Sequence, residues 1–506
     1  MKKGILGIAK DPKQQILFSF DQRFDVCPSS DSDDSDYKPE CSPSDTDVTT
    51  VTRRKRIKTN NVSVDTVHHT TDASSSNCDT SSTDLWGKHI PHLVLLKIFR
   101  YVVESAGAVP FLCRAMKVCR LWYQCANIST LWKNVDLSYG WIKANDATIQ
   151  LLCRTRFSKL TDINLSNWKS LTANSLKLLA DTCPQLKAIN LSYCRVNSAG
   201  VLYMINKCSN LAEIDLMSYG CTDVVSAKMI VQVVEKCSGN LQSLNLSRNP
   251  LKGYNAVIKA LAACCPNLEC LDLSQNPNYL HIPLSFDIEQ LQRGCPKLRI
   301  LRLVNTVIEP ARVSVRDRNE SPGFPELREL SLGTTSTAVS NIGRYDVLQR
   351  LAKTSKKLKS LDLRRWLLLT CADLQCVPAT DLADLYISGC SIAKDERMEI
   401  LMSKWQHSLV ELDVSWNVDS ETALDVAMRR LASCSATSKL EVLDLSGTQI
   451  SLGSVQSMLQ GCPMLRNLNL SSCRSLPRGM KREYFNESLD DLRKNIDSAA
   501  RSNVDQ

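Results

Sequence analysis

Histidine, aromatic side chains and catalytic motifs are what this chain has least of. Its 506 residues include six histidines and only 6% Phe, Trp and Tyr. Two of the histidines, His68 and His69, sit together in a polar N-terminal stretch, and no Cys-x-x-Cys occurs, so a structural zinc has no ligand set. No G-x-S-x-G, phosphate-cradling glycine run or metal-binding histidine pair is present. No catalytic residue, cofactor or metal is therefore expected. No segment approaches the ~20 consecutive apolar residues of a membrane span. The opening MKKGILGIAKDPKQQ is too weakly apolar for a secretory signal. The expected setting is nucleus or cytoplasm, neither membrane-bound nor secreted.

What the chain does have is apolar bulk, 43% of its residues, enough for a large core. The 22 cysteines recur at regular intervals in a long chain, which favours reduced, buried thiols over a disulfide scaffold. The net charge of +9 is unevenly spread. Residues 1–84 hold 11 Lys/Arg against 14 Asp/Glu, leaving 51 against 39 downstream. That excess is thin over so many residues, and direct nucleic-acid binding is not expected without a concentrated stripe.

Residues 1–83 are rich in Ser, Thr and Asp and poor in large apolar side chains after Phe24, so they cannot offset the entropy of ordering. Within them, Ser29–Asp36 alternates hydroxyls with carboxylates and reads either as an acidophilic kinase site or as a solubilising run. The run Arg53, Arg54, Lys55, Arg56, Ile57, Lys58 has the composition of a nuclear import signal.

From Trp132 onward a period dominates. The unit L-x-x-L-x-L starts at residues 132, 160, 186, 211, 241, 268, 298, 327, 358, 382, 409, 440 and 465. Twelve steps from Trp132 to Leu465 average about 28 residues, the upper range of a leucine-rich repeat. The alternating x-L-x-L half predicts a short strand. The following dozen residues carry a helical period, as in Ala173–Cys183, where Leu176, Leu179 and Ala180 share a face before Pro184. The expected fold is α/β: a curved solenoid with short parallel strands on the concave face and helices on the convex face. About thirteen repeats span 132–475, followed by a C-terminal cap and polar tail over 476–506, where Leu489, Leu492 and Ile496 keep helical spacing. One repeat departs from the pattern. Glu309–Pro322 reads as a surface loop where a helix belongs.

Ahead of the repeats, residues 84–131 predict three helices. The first starts at Ile90-Pro91, since a proline there gives up only an amide that lacks a partner anyway. Leu93, Leu96, Phe99 and Val103 fall on one face, and Val94, Leu95, Ile98 and Val102 widen it. So short a unit, apolar on so much of its circumference, needs partners. The spacing of Ile90-Pro91, Leu93, Leu96, Ile98-Phe99 and Tyr101, then Val118-Cys119-Arg120-x-Trp122, then Leu131-Trp132, resembles an F-box, although Leu-Pro is usual where Ile90-Pro91 stands. With the repeats, the chain resembles the F-box/leucine-rich-repeat family, and the cysteines near the strands resemble its cysteine-containing repeat class. The resemblance implies a non-catalytic substrate receptor of an SCF-type cullin-RING ubiquitin ligase. Ile90, Pro91, Leu93, Leu96, Ile98, Phe99, Val118 and Trp122 would then dock on the Skp adaptor that joins the cullin, and the repeats would hold an unidentified protein client.

On the strand face, most repeats place Asp or Asn between the last two leucines, which reads either as an acidic groove for a basic client or, the stronger reading, as a generic wording that keeps a solvated strand soluble. The departures, Arg302, Arg364, Arg365, Trp366, Tyr386 and Trp416, are of the residue types enriched at binding hot spots and form the candidate client patch. Packing in the turns is the competing reading for the two tryptophans. A repeat scaffold without a ligase, the helical trio serving only as its N-terminal cap, is the competing reading for the whole chain.

Overall fold

In the computed structural model, the described residues run from 90 to 502. Short stretches at 196–197, 219–225, 276–283, 335–344, 368, 391, 393–396, 418–420 and 435–436 are excepted. The basic run and the Ser/Asp run of the tail lie outside the described residues. Ile90 and Pro91 group with the segment before them, whereas His92 onward belongs to a separate compact unit.

The unit begins with α1 (His92–Ala106), α2 (Phe111–Ala115) and α3 (Arg120–Ala126). Then come the strands. β1 (Asn134–Asp136), β2 (Asp162–Asn164), β3 (Ala188–Asn190), β4 (Glu213–Asp215), β5 (Ser243–Asn245) and β6 (Cys270–Asp272) lead to β7 (Leu284–Phe286). β8 (Ile300–Arg302), β9 (Ile308–Pro310), β10 (Glu329–Ser331), β11 (Ser360–Asp362) and β12 (Asp384–Tyr386) follow. The series ends with β13 (Glu411–Asp413), β14 (Val442–Asp444), β15 (Asn467–Asn469) and β16 (Glu483–Phe485).

Each leucine-repeat start yields one strand of a single 14-stranded sheet, parallel throughout except for β16. The middle residue of each parallel strand is buried, as with Ile163, Leu244 and Leu412, and its two neighbours face outward, as period-2 alternation requires. Helices lie on the other side. Ala173–Thr182 buries Leu176, Leu179 and Ala180, as its spacing predicts. A buried aliphatic side chain is worth about 1.5–3 kcal/mol before entropy is subtracted, so each repeat depends on its neighbours.

Three rows of hydrogen bonds recur along the solenoid beyond the strand ladder, the first inside each repeat and the other two between repeats. In the first, the Asp or Asn that ends a strand accepts from the backbone N–H two residues on: Asn190 Oδ1 from Ser192 at 2.8 Å, Asp272 from Ser274 at 2.9 Å and Asp444 from Ser446 at 2.8 Å. The next residue is left-handed, as at Asn167, Tyr193, Arg248, Gln275, Asn305, Arg365 and Trp416, and its N–H bonds to the following repeat; Ser472 of the last repeat is left-handed too. One residue further, a buried side chain donates to the carbonyl of the leucine that follows the strand of the preceding repeat. The donor is an amide at Asn249, a thiol at Cys194, Cys390 and Cys473, and an indole at Trp168 and Trp366.

The 309–322 segment is more structured than the sequence suggests. β9 pairs in parallel with β7 as a separate two-stranded sheet, and Val315–Glu320 forms a short helix. Ser314 starts that helix by accepting from Asp317 N at 3.0 Å, and Lys353 Nζ donates to the carbonyls of Asn319 and Ser321 at its end. Beneath it, Arg350 and Glu289 form an ion pair whose side chains are only 6% and 2% exposed. Burial alone raises a carboxyl, but the Arg350 guanidinium outweighs it and holds Glu289 below its ordinary value.

At the C-terminus, β16 turns back antiparallel on β15, and the helix Glu487–Ser502 buries Leu489, Leu492 and Ile496. The 18 cysteines among the described residues form no disulfide and are mostly buried. Burial pushes the thiols of Cys194 and Cys295 up to about 12, which removes the nucleophilic thiolate.

Candidate functional site

The helical trio presents one surface to solvent and a different one to its own core. Phe99 is fully buried, with its ring edge-on to Phe111 at 5.2 Å and to Trp122 at 5.1 Å. Leu95, one turn before it, is also buried, and Val102 is half-buried on the same stripe. A second stripe, Val94, Ile98 and Tyr101, at the same i, i+4, i+7 spacing, faces water together with Leu93. Leu93 is 71% and Tyr101 77% exposed, and Val118 lies open before α3.

The single wide face read from the sequence is thus two faces. Phe99 is core and cannot reach a partner, a correction to its expected docking role, because periodicity says which residues align but not which stripe turns inward. Leu96, Trp122 and Ile90 are half-buried, and Pro91 is exposed.

Nothing in the sequence singled out Arg156. Only 2% exposed, it follows the helix Asp146–Thr155 of the first repeat and reaches back to the trio. Its Nε donates to Asn127 Oδ1 at 2.7 Å, and its guanidinium lies 5.5 Å from the Trp132 ring centre. The Trp132 indole in turn donates to the Ala126 carbonyl at 2.7 Å.

On the sheet face the client candidates separate. Arg302 bonds the Glu329 carboxylate, Nη2 to Oε2 at 2.9 Å. Arg364 makes two bonds to Asp362, at 2.9 and 2.7 Å, and lies 5.4 Å from the Tyr386 ring centre. Tyr386 is half-buried on β12, and burial raises its phenol further from ionisation. Arg365 and Trp416 occupy the left-handed turn position, with both side chains exposed. Trp416 is 57% exposed, and one side of its ring rests on Gly447, where a Cβ would collide with it. Trp366 is a correction. It is 9% exposed and its indole donates to the Leu332 carbonyl at 3.0 Å, doing the work that an amide or thiol does in other repeats.

The first half of the sheet floors an open groove of about 660 Å³, bounded at one end by Ala106–Val109 and lined by Asp136, Asn164, Asp215, Asp272 and Arg302. Burial there, with Asp272 nearby, pushes Asp215 up to about 6. Among the described residues, no His, Cys, Asp and Glu gather in a metal-ligating group, and no helix is long and apolar enough to cross a membrane.

Comparison with known proteins matches residues 88–138 to the F-box-like family model. The F-box protein SKIP19 of Arabidopsis thaliana is 27% identical over 157 residues, 30% of this chain. The match spans about half of that protein, 49% of its length. Among solved structures, the Rad7 and Elc1 complex of yeast resembles 78% of this chain over 84% of its own, with 17% identity and a TM-score of 0.45. An internalin of Listeria monocytogenes resembles 66% of this chain over 89% of its own, with 16% identity and a TM-score of 0.42.

Proposed function

We propose that this chain, an F-box-like and leucine-rich-repeat protein, is the substrate-receiving subunit of an SCF-type ubiquitin ligase. In this reading the helical trio docks on the Skp adaptor, which joins it to the cullin, and the repeats hold a protein client. The chain performs no chemistry itself. It raises the effective concentration of the client near the transferring enzyme. The setting is nuclear, cytoplasmic or both.

The observation that carries the reading is the second apolar stripe of α1. Leu93, Val94, Ile98 and Tyr101 are apolar or aromatic, aligned and open, while a different stripe serves the trio's own core. A contiguous exposed apolar surface of this kind marks an interaction site. The competing reading, a plain scaffold capped by the trio, draws on Arg156 and Trp132, which seat the trio on the first repeat. The two readings differ over the outward stripe, which a cap does not need.

The test is a pull-down of the full chain with purified Skp adaptor. The double variant Leu93→Glu, Ile98→Glu is expected to lose adaptor binding while keeping the parent's circular dichroism and melting temperature. Unchanged adaptor binding by that variant argues directly for the cap.

A further inference from the structure

The charge of the sheet face opposes that of the chain. Across the outward positions of the thirteen parallel strands stand eleven carboxylates and one guanidinium, Arg302, in a protein of net charge +9. Arg302 is engaged with Glu329 and Arg364 with Asp362. On β12 to β14, however, Asp384, Glu411, Asp413 and Asp444 make no ion pair among the described residues.

The strand register sets these four against one another. Asp384 faces Glu411, and Asp413 faces Asp444. Neighbouring strands are about 4.8 Å apart, and like charges directly opposite destabilise a sheet. Burial raises the Asp384 and Asp413 carboxyls, and the facing Glu411 and Asp444 add to the rise.

The fold does not require this charge. Asn245 accepts the turn-closing bond from Ser247 at 3.0 Å, just as Asp413 accepts it from Ser415 at 3.0 Å. At the other outward position, β5 and β11 carry serine and β15 asparagine. The carboxylates are also too spread to close around one metal ion. A partner that neutralises them must carry several cationic groups along its length. At the turn end of β13, Trp416 offers an open aromatic face, a favourable neighbour for a lysine or arginine.

We propose that the face of β12–β14, with Trp416 at its edge, receives an extended client segment bearing two or more lysine or arginine side chains. The inference rests on the reading of the repeats as the client-holding part and specifies what that client presents. A chain of net positive charge repels polycations as a whole, so such a segment is held only where this face outweighs the total.

The experiment measures fluorescence anisotropy of two labelled ten-residue peptides, alternating lysine–glycine and alternating glutamate–glycine, against the full chain. The lysine peptide is expected to bind, more weakly as salt rises, and the glutamate peptide to bind at least tenfold less. Asp384→Asn with Glu411→Gln is expected to weaken lysine-peptide binding at least tenfold without lowering the melting temperature, because it relieves a like-charge pair. Asp162→Asn with Glu213→Gln removes the same charge from β2 and β4 and is expected to leave binding within twofold. Equal binding of both peptides, or equal loss from both double variants, overturns the proposal. Adaptor binding, measured on the same preparations, separates the two readings. Adaptor capture without lysine-peptide binding defeats this inference alone, and lysine-peptide binding without adaptor capture defeats the ligase reading alone.

Discussion

Replacing Phe99 by alanine tests the division of α1 into an inner and an outer face. The ring is fully buried and makes two edge-on aromatic contacts, to Phe111 and Trp122. Deleting a buried Phe side chain costs about 3–5 kcal/mol, of which each aromatic contact accounts for about 0.5–1.5 kcal/mol. Leu93, by contrast, is 71% exposed, and Leu93→Ala is expected to shift stability by less than about 0.5 kcal/mol. The assay is amide hydrogen exchange across residues 92–126, with urea unfolding of the full chain beside it. In Phe99→Ala, exchange in all three helices is expected to accelerate by two orders of magnitude or more, the repeats staying protected. In Leu93→Ala it is expected to match the parent. Equal protection in the two variants refutes the assignment of the buried stripe.

Three further outcomes follow from the same geometry. Arg350→Met leaves the Glu289 carboxylate buried without its partner and is expected to cost about 3–5 kcal/mol in chemical denaturation. Trp366→Phe keeps an aromatic six-membered ring but removes the pyrrole N–H that donates to the Leu332 carbonyl, for about 1–3 kcal/mol, whereas Trp416→Ala changes the melting temperature little. Asp215 has a folded-state pKa raised to about 6, so the folded chain holds its proton more tightly than the unfolded one. Its contribution to stability is present in acid and is lost as pH rises from about 4 through about 6. Asp215→Asn is expected to flatten the melting temperature over that window, measured by calorimetry.

The solenoid was legible because its signal is redundant. Thirteen copies of L-x-x-L-x-L each place an aliphatic residue at the strand centre, and the thirteen parallel strands appear at those positions in register. The segment around 309–322 was less legible, since it breaks that period. Its strand pairs with another segment out of sequence order, although Ser314 and Asp317 already have the spacing of a helix start. Residue type misled at Trp366. An indole reads as a binding anchor, but its N–H also substitutes for the amide of Asn249 or Asn417 in the donor row. Arg156 and the Glu289–Arg350 pair join positions 29 and 61 residues apart, a relation that only the stacking of repeats creates. The six client candidates therefore divide. Arg302, Arg364 and Tyr386 lie on the sheet face, Arg365 and Trp416 at the turns, and Trp366 in the core.

The outward stripe of α1 is proposed to bind an adaptor. The most direct measurement is the association of the unmodified full chain with a purified Skp adaptor and cullin, followed by size-exclusion chromatography with light scattering. A stable complex containing one copy of each protein is expected. Elution of the chain apart from the other two, at concentrations well above those in a cell, contradicts it.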